Sequence, residues 1–390
     1  MAVVAAGAGA GCWPSFPENL LQLDVPAADV RRDTGVAQDA VNDLGPVDAG
    51  FDAGFDAGPD GAAADGDLDA GLADADAGAD AGEDVGEDVV TLPADADVCR
   101  DYPLPMNAPS MALFAGLDEP RDLTFDATGR VVVAHGNRIT AYARGGAGTA
   151  LITDAPGTLV AARFTRVGTL VVAYNTTSDA GTTAGNIGVL VPGNNSLTRL
   201  PIAIGRVGGL AIDRSDRIWY TDAAAHQVLR VQPNGTDRVT VTTFACNPDA
   251  GTITYCSPGL LAFGVGEQAM FISFARSVGQ YVGRVALNAV DGGASTVMGT
   301  PSVLVDGLPS VAGLAVDECN NVYIADELGE RIVRISEMGT GVAPVSRVSG
   351  TRGLAFGTGP MFDNRVLFTL SGPNRSVFVT QSITRGNPLF

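Results

Sequence analysis

Lysine is absent from this 390-residue chain, and all 24 basic residues are arginine. A bias of that kind is expected of a GC-rich genome rather than of a function. Histidine occurs twice, as His135 and His226, and no G-x-S-x-G is present, so nucleophilic triad chemistry finds little support. Five cysteines at spacings unlike those of a zinc cluster, with only two histidines, argue against a structural zinc site. The glycine clusters at 7–11 and 145–148 open no helix, which argues against a dinucleotide fold. No apolar run reaches the roughly 20 residues that a membrane span needs. A net charge of −20 with no basic excess speaks against nucleic acid as a partner.

That charge is not spread evenly. Residues 33–97 carry 19 acidic side chains and no Arg, with Asp-Ala-Gly recurring at Asp48, Asp52 and Asp56. The tail therefore accounts for almost all of the −20, leaving about −1 for the remainder. The acidic balance says nothing about partners of a folded domain. Such a segment buries too little apolar surface to offset its ordering entropy, and its charges repel. Residues 13–98 are expected to form a disordered acidic linker. Asp65, Asp67 and Asp69 alternate like the start of a calcium loop, but Ala70 replaces the turn glycine and the twelfth position lacks Glu. Ahead of the linker, residues 2–11 are small and apolar and end at Cys12. Residues 1–12 read as the remnant of a secretory signal with Cys12 as the lipidated residue, although no basic residue precedes the run and Gly9 stands where Leu is usual. An ordinary unstructured terminus is the alternative.

The folded region, 99–390, is built from a repeat. Its sharpest copy is Gly313 to Ile335, G-L-A-V-D-E-C-N-N-V-Y-I-A-D-E-L-G-E-R-I-V-R-I. Three short apolar strands separated by Asp/Asn turns can be read from it: Leu314 to Val316, Val322 to Ala325 and Arg331 to Ile335. An ungapped copy stands 104 residues earlier at Gly209 to Val231, and another 191 residues earlier at Asp122 to His135. Looser copies begin near Val160, Leu260 and Gly353. The equivalent first-strand residues Phe125, Phe164, Ile212, Phe263, Val316 and Phe356 are spaced by 39, 48, 51, 53 and 40. This is close to the roughly 40 to 50 residues of a four-stranded propeller blade. Each second strand ends on a small residue (Ala134, Ala173, Thr221, Ser273, Ala325, Thr369), as a position crowded by the next blade requires. Ala112 to Leu117 matches the fourth-strand segment Val303 to Leu308, while the chain ends soon after a third strand, Ser376 to Gln381. The fold class expected is therefore all-β, a six-bladed β-propeller whose N-terminal strand completes the last blade and removes the open edges. An open solenoid or a sandwich is the alternative arrangement of the same strands.

Cys246 and Cys256 bracket a loop between blades three and four and are candidates for one disulfide; Cys99 and Cys319 would form the other. An even count of paired cysteines indicates an oxidising compartment, so a secreted or envelope location is expected.

The units G-L-A-I-D-R-S-D-R-I-W-Y-T-D and G-L-A-V-D-E-C-N-N-V-Y-I-A-D resemble the blades of the regucalcin/gluconolactonase family and of NHL-repeat propellers, over about 110–385. The resemblance implies the propeller fold. In lactonases of that family a divalent metal on the axis is held by Glu, Asn and Asp just before particular first strands, in motifs such as E-G-P, P-N-G and P-D-G. Counting back four residues from the strand markers reaches Arg121, Gly259 and Ala312 in this chain, none of which ligates a hard metal. Glu119-Pro120 is similar to E-G-P but stands two residues out of register. The resemblance thus supports the fold and argues against the activity, and no catalytic residue, cofactor or metal is assigned. The alternative is a calcium-, zinc- or manganese-dependent lactonase or esterase.

The same register places Glu119, Arg121, His135, Tyr174, Arg206, Asp222, Asp326 and Arg352 at the mouth. Arginines opposite carboxylates, with aromatics between them, could cradle a small anion or a sugar. They could equally be structural ion pairs, with Arg121, Arg206 and Arg352 joined to Asp222 and Asp326, and His135 a packed histidine. The reading that follows is a monomeric, non-catalytic propeller on an acidic stalk. It would bind a small anionic or sugar-like ligand or a protein, and touch a membrane only through a lipid on Cys12.

Overall fold

The structure is a computed structural model that describes Cys99, Ala108 and, between 110 and 387, all residues except 145–147, 192, 194–195, 247–255, 276–278, 291–292, 338, 340, 359–360, 363 and 383. The expectations for Cys12, the signal remnant and the acidic linker lie outside the described residues. What is described is a ring of six four-stranded antiparallel sheets.

Blade one contains β2 (Pro120–Phe125), β3 (Val131–His135), β4 (Arg138–Tyr142) and β5 (Gly148–Ile152). Blade two contains β6 (Thr158–Phe164), β7 (Leu170–Thr177), β8 (Thr183–Leu190) and β9 (Thr198–Arg199). Blade three runs β10 (Val207–Ile212), β11 (Ile218–Asp222), β12 (Gln227–Val231) and β13 (Val239–Thr243). Blade four runs β14 (Pro258–Phe263), β15 (Ala269–Ala275), β16 (Gln280–Val290) and β17 (Gly293–Leu308). Blade five is β18 (Gly313–Val316), β19 (Val322–Asp326), β20 (Arg331–Ile335) and β21 (Val342–Arg347). Blade six takes β22 (Thr351–Phe356), β23 (Val366–Ser371) and β24 (Ser376–Gln381) from the C-terminal end and β1 (Ser110–Ala115) from the N-terminal end.

The closure expected from Ala112 to Leu117 is therefore present: β1 lies antiparallel to β24, Ser110 opposite Thr380 and Ala115 opposite Ser376. The innermost strands contact one another in turn around the ring, and β2 meets β22 where it closes. Neither the solenoid nor the sandwich survives this topology.

The repeat's residues explain the blade. In β3, β11 and β19 every residue is buried, because these strands have sheet on both sides and a neighbouring blade on each face. The turn after the first strand is built on one aspartate. Asp126 Oδ1 accepts the N–H groups of Thr128 and Arg130, each at 3.0 Å. Asp213 Oδ1 does the same for Ser215 and Arg217, each at 2.9 Å, and Asp317 Oδ1 for Cys319 and Asn321, at 2.9 and 2.8 Å. Such side-chain caps hold a tight turn without help from the sheet. The leading glycine of the motif has a packing cause. A Cβ on Gly209 would stand 2.6 Å from the Gly259 carbonyl oxygen, and one on Gly313 2.8–2.9 Å from the Gly353 backbone. Adjacent innermost strands approach too closely there for any side chain. The six small residues that end the second strands are all buried, and Thr221 Oγ1 donates to Gly259 O of the next blade at 2.8 Å.

Two disulfides tie the ring, Cys99–Cys319 and Cys246–Cys256, with Cα–Cα distances of 5.2 and 4.8 Å. The end of the chain adds a strap beneath blade five. Glu318 N–H donates to Arg385 O at 2.8 Å, Asn387 N–H to Val316 O at 2.9 Å, and Asn387 Nδ2 to Phe263 O of blade four at 3.2 Å.

Candidate functional site: an arginine-lined axial cavity

Five of the six innermost strands are bulged at the same level. The ladder slips between Pro120 and Asp122, Leu159 and Ala161, Val207 and Gly209, Pro258 and Leu261, and Arg352 and Leu354. A bulge inserts one residue and re-aims it. Here the inserted positions include Arg121, Val160, Gly208, Gly259 and Gly353, at the end of the axis where the first strands begin. A cavity of about 350 Å³ opens at that level, walled by Arg121, Asp122, Arg206, Gly208, Gly259 and Ala312 among others, from five of the six blades. Its volume lies at the small end of the range for small-molecule sites.

Of the eight residues placed at the mouth from sequence, Arg121 and Arg206 line this cavity. Arg121 donates through Nη2 to Glu119 Oε2 at 3.0 Å, in a pair whose glutamate is 69 % exposed. Its Nε is buried and has no partner. Arg206 immediately precedes β10 and is exposed, and among the described residues no carboxylate lies within ion-pair distance of it. Arg352 has turned outward to Glu327, bonding its Oε1 through Nε at 2.7 Å and through Nη2.

The carboxylates have other work. Asp222 accepts the N–H groups of Gly205, Arg206, Ala224 and Ala225 at 2.8–3.2 Å. Asp326, fully buried, accepts from Ser310 and Gly329 N–H and from Arg331 Nε. Neither reaches the guanidinium of Arg121, Arg206 or Arg352, so the structural pairing weighed from sequence does not occur in that form. The cause is local: an aspartate at the end of a second strand is adjacent to several unpaired turn N–H groups and caps them. His135 is buried, its Nδ1 accepting from Asp118 N–H at 3.4 Å and its Nε2 standing 2.9 Å from Thr140 Oγ1. Burial and then the nearby Arg138 lower its pKa below the ordinary 6.5, against an opposing pull from Asp118, which keeps the ring neutral. Tyr174 belongs to the core between blades one and two, and burial raises its pKa although Arg199 works in the opposite sense.

Sequence reasoning did not single out Asp122, Ser257, Ser273 and Gln280, all of which line the cavity. Asp122 is buried and accepts Ala162 N–H at 2.9 Å and Arg163 Nη1 at 2.5 Å, joining blade one to blade two. Ser257 directly follows the disulfide half Cys256 and donates its N–H to His226 Nδ1 at 3.1 Å. Asp122 is marked as the first residue of an ungapped repeat copy and Ser273 as the small residue ending a second strand, but neither mark points to the cavity; for Ser257 and Gln280 no pattern stands out.

No protein-family model matches the chain, and no curated protein matches it. Solved structures do match. A gluconolactonase from Xanthomonas campestris superposes with TM-score 0.54 at 15% identity, covering 72% of this chain and 95% of its own. A glucose dehydrogenase gives 0.51 at 15%, covering 70% and 99%. An auxiliary nutrient binding protein from Bacteroides thetaiotaomicron gives 0.53 at 10%, covering 70% of each chain. At these identities the likeness is one of fold. Three different printed roles on one architecture leave function to the site.

The gluconolactonase likeness makes a divalent metal the group to test, and the donor set does not fit one. Arg121, Gly259 and Ala312, the positions reached by register, all line the cavity, and none offers an oxygen on its side chain. Among the described residues no group of three or more His, Cys, Asp or Glu could hold a metal ion.

Proposed function

We propose that this chain is a non-catalytic ligand-binding propeller that takes a small molecule in its axial cavity. The observation that carries the reading is Arg206, an exposed arginine that lines the cavity with no ion-pair partner among the described residues, together with the buried, unpartnered Nε of Arg121. Positive charge held without a counter-charge in a concave site is a binding resource, because a structural role would have supplied the partner. The bulges aim Arg121, Val160, Gly208 and Gly259 at the cavity, none of them a base or a nucleophile, and the carboxylate in its wall, Asp122, is held by Arg163. The nutrient-binding proteins of the same fold are compatible with this role.

The two disulfides support an oxidising location. The full reading is therefore a secreted or envelope-exposed monomer, anchored through Cys12 and held off the membrane by the acidic stretch 13–98.

The test is a thermal-shift screen of the full chain against a library of small metabolites, repeated with Ala312→Phe, which fills the cavity, after circular dichroism has shown that the variant folds. Binders that shift the wild type and not the variant support the reading. Hits indifferent to Ala312→Phe, or no hits, refute it. Lactone hydrolysis with calcium, zinc or manganese at enzymatic rates, lost in Ala312→Phe, would replace it with the metal-dependent lactonase.

A further inference from the structure

The hydrogen-bonding groups around the cavity are unevenly divided. Arg121 and Arg206 can only donate. Gln280 Oε1 takes Val311 N–H at 2.9 Å, which fixes the amide and leaves its NH₂ group to donate. Ser273 Oγ accepts Leu260 N–H at 2.9 Å, which leaves its O–H to donate. The one carboxylate in the wall, Asp122, takes both Ala162 N–H and Arg163 Nη1 on Oδ2, and the Arg163 guanidinium offsets its charge. Arg121, Arg206, the Gln280 NH₂ and the Ser273 O–H thus give the wall four donor groups, against a carboxylate whose charge Arg163 already offsets.

The rest of the wall is apolar, with Val160, Leu260, Val311 and Ala312 among its residues. At the far end of the axis the C-terminal strap crosses below the innermost strands of blades four and five, through the Asn387 bonds to Phe263 O and Val316 O. The arginine-bearing mouth lies at the opposite end, where the cavity is walled by Arg121 and Arg206.

Resting on the binding role proposed above, we infer that the ligand class is a small organic acid: a carboxylate on Arg206 and Arg121, with an apolar body against Val160, Leu260 and Val311. A carboxylate brings only acceptors, which the free donors require, and its bonds to guanidinium are charge-assisted. A neutral sugar brings several hydroxyl donors that would find few acceptors in this wall, and each buried donor left unpaired lowers affinity. Inorganic phosphate satisfies the arginines but leaves the apolar wall uncovered. Arg206 is the main anchor, because Arg121 shares its charge with Glu119.

The experiment is calorimetric titration of the full chain at low ionic strength with hexanoate, benzoate, hexan-1-ol, glucose and inorganic phosphate. Expected are one-to-one binding of at least one of the two acids, at least tenfold weaker binding of hexan-1-ol, and no measurable heat from glucose. Arg206→Gln should weaken the bound acid at least tenfold, Arg206→Lys less, with the melting temperature unchanged because the Arg206 guanidinium has no ion-pair partner among the described residues. Binding of glucose or hexan-1-ol at least as tight as that of the acids, abolished by Ala312→Phe, overturns the acid class while leaving the cavity as a binding site. Phosphate binding alone overturns the apolar body. Failure of both acids while the metabolite screen yields other cavity-dependent binders refutes the class, and failure of both experiments refutes the binding role as well.

Discussion

The two disulfides enclose very different lengths of chain, and this sets a measurable difference between them. Cys99–Cys319 spans 220 residues and Cys246–Cys256 spans 10. If a crosslink acts by restricting the unfolded chain, its contribution grows as 1.5RT times the logarithm of the loop length. That is about 5 kcal/mol for the long loop and about 3 kcal/mol for the short one. The difference, about 2.7 kcal/mol, is independent of the constant in the expression. Two double Cys→Ser variants, one per bridge, should therefore separate in guanidinium denaturation followed by the fluorescence of buried Trp219. The Cys99/Cys319 variant should be the less stable. Ligand binding should order them the other way. Cys256 adjoins Ser257, Pro258 and Gly259 in the cavity wall, whereas Cys319 sits in the turn of blade five at the far end of the axis. Losing the short bridge should weaken the bound acid several-fold and losing the long one should not. Equal stability costs, or a larger cost for the short bridge, would refute the chain-entropy argument. Unchanged binding in the Cys246/Cys256 variant would refute the role given to the wall.

Two further outcomes follow from particular contacts. Tyr323 is buried with its hydroxyl among Asp317 Oδ2, Ser382 Oγ and Thr384 Oγ1, at 3.0–3.3 Å, and burial first, then the Asp317 charge, push its pKa from 10.0 up to about 12. Above pH 10 the unfolded chain releases this proton and the folded chain keeps it, so stability should fall between pH 10 and 12 by roughly 2–3 kcal/mol. Tyr323→Phe should cost about 1 kcal/mol at neutral pH and flatten that part of the alkaline limb; an unaltered slope in urea titrations across this range would show that the group is not held protonated. Gly209→Ala places a methyl 2.6 Å from Gly259 O and 2.7 Å from Leu260 Cα, and backbone on both sides leaves no easy relief. A loss of about 1–3 kcal/mol is expected, and a variant as stable as the wild type by chemical denaturation would mean that blades three and four are not in the contact described.

The blade repeat was legible because its signals are local. A turn aspartate caps its own loop, a buried second strand reads as an apolar run, and a leading glycine marks the closest approach of two blades. Each survives in Gly209 to Val231 and Gly313 to Ile335 whatever surrounds them. The closure by β1 was legible for a different reason, since a strand copy without a blade at one end of the chain has to complete the incomplete blade at the other. What did not reach the sequence was the choice of partner for each arginine. Arg352 and Glu327 are 25 residues apart, and Asp222 and Asp326 looked available because their turn N–H groups carry no sequence mark. The β-bulges were equally silent. A period of two residues predicts that Arg121 and Gly208 simply alternate with their neighbours, whereas the slipped ladder re-aims them at the axis.

Those bulges also explain how a register that reaches no metal ligand still reaches a cavity. Counting back from the strand markers reached Arg121, Gly259 and Ala312, and all three line the cavity. Where oxygen ligands would have filled the mouth and drawn a cation to it, glycine and alanine leave space and arginine brings a positive charge. Gly259 is small because a Cβ would meet Ser273 Oγ at 2.6 Å, the same hydroxyl that bonds Leu260 N–H and holds the bulge. The packing that shapes the wall is therefore also what removes the ligand side chain. A single return substitution, Ala312→Asp, would place one carboxylate beside Arg206 and Arg121, neutralising the free charge without assembling a metal site, since three or more oxygen donors are needed. It should abolish acid binding while creating no detectable calcium or manganese binding by calorimetry. Acquired one-to-one metal binding would mean that further oxygen donors converge on the axis and that the polarity assigned to the mouth is inverted.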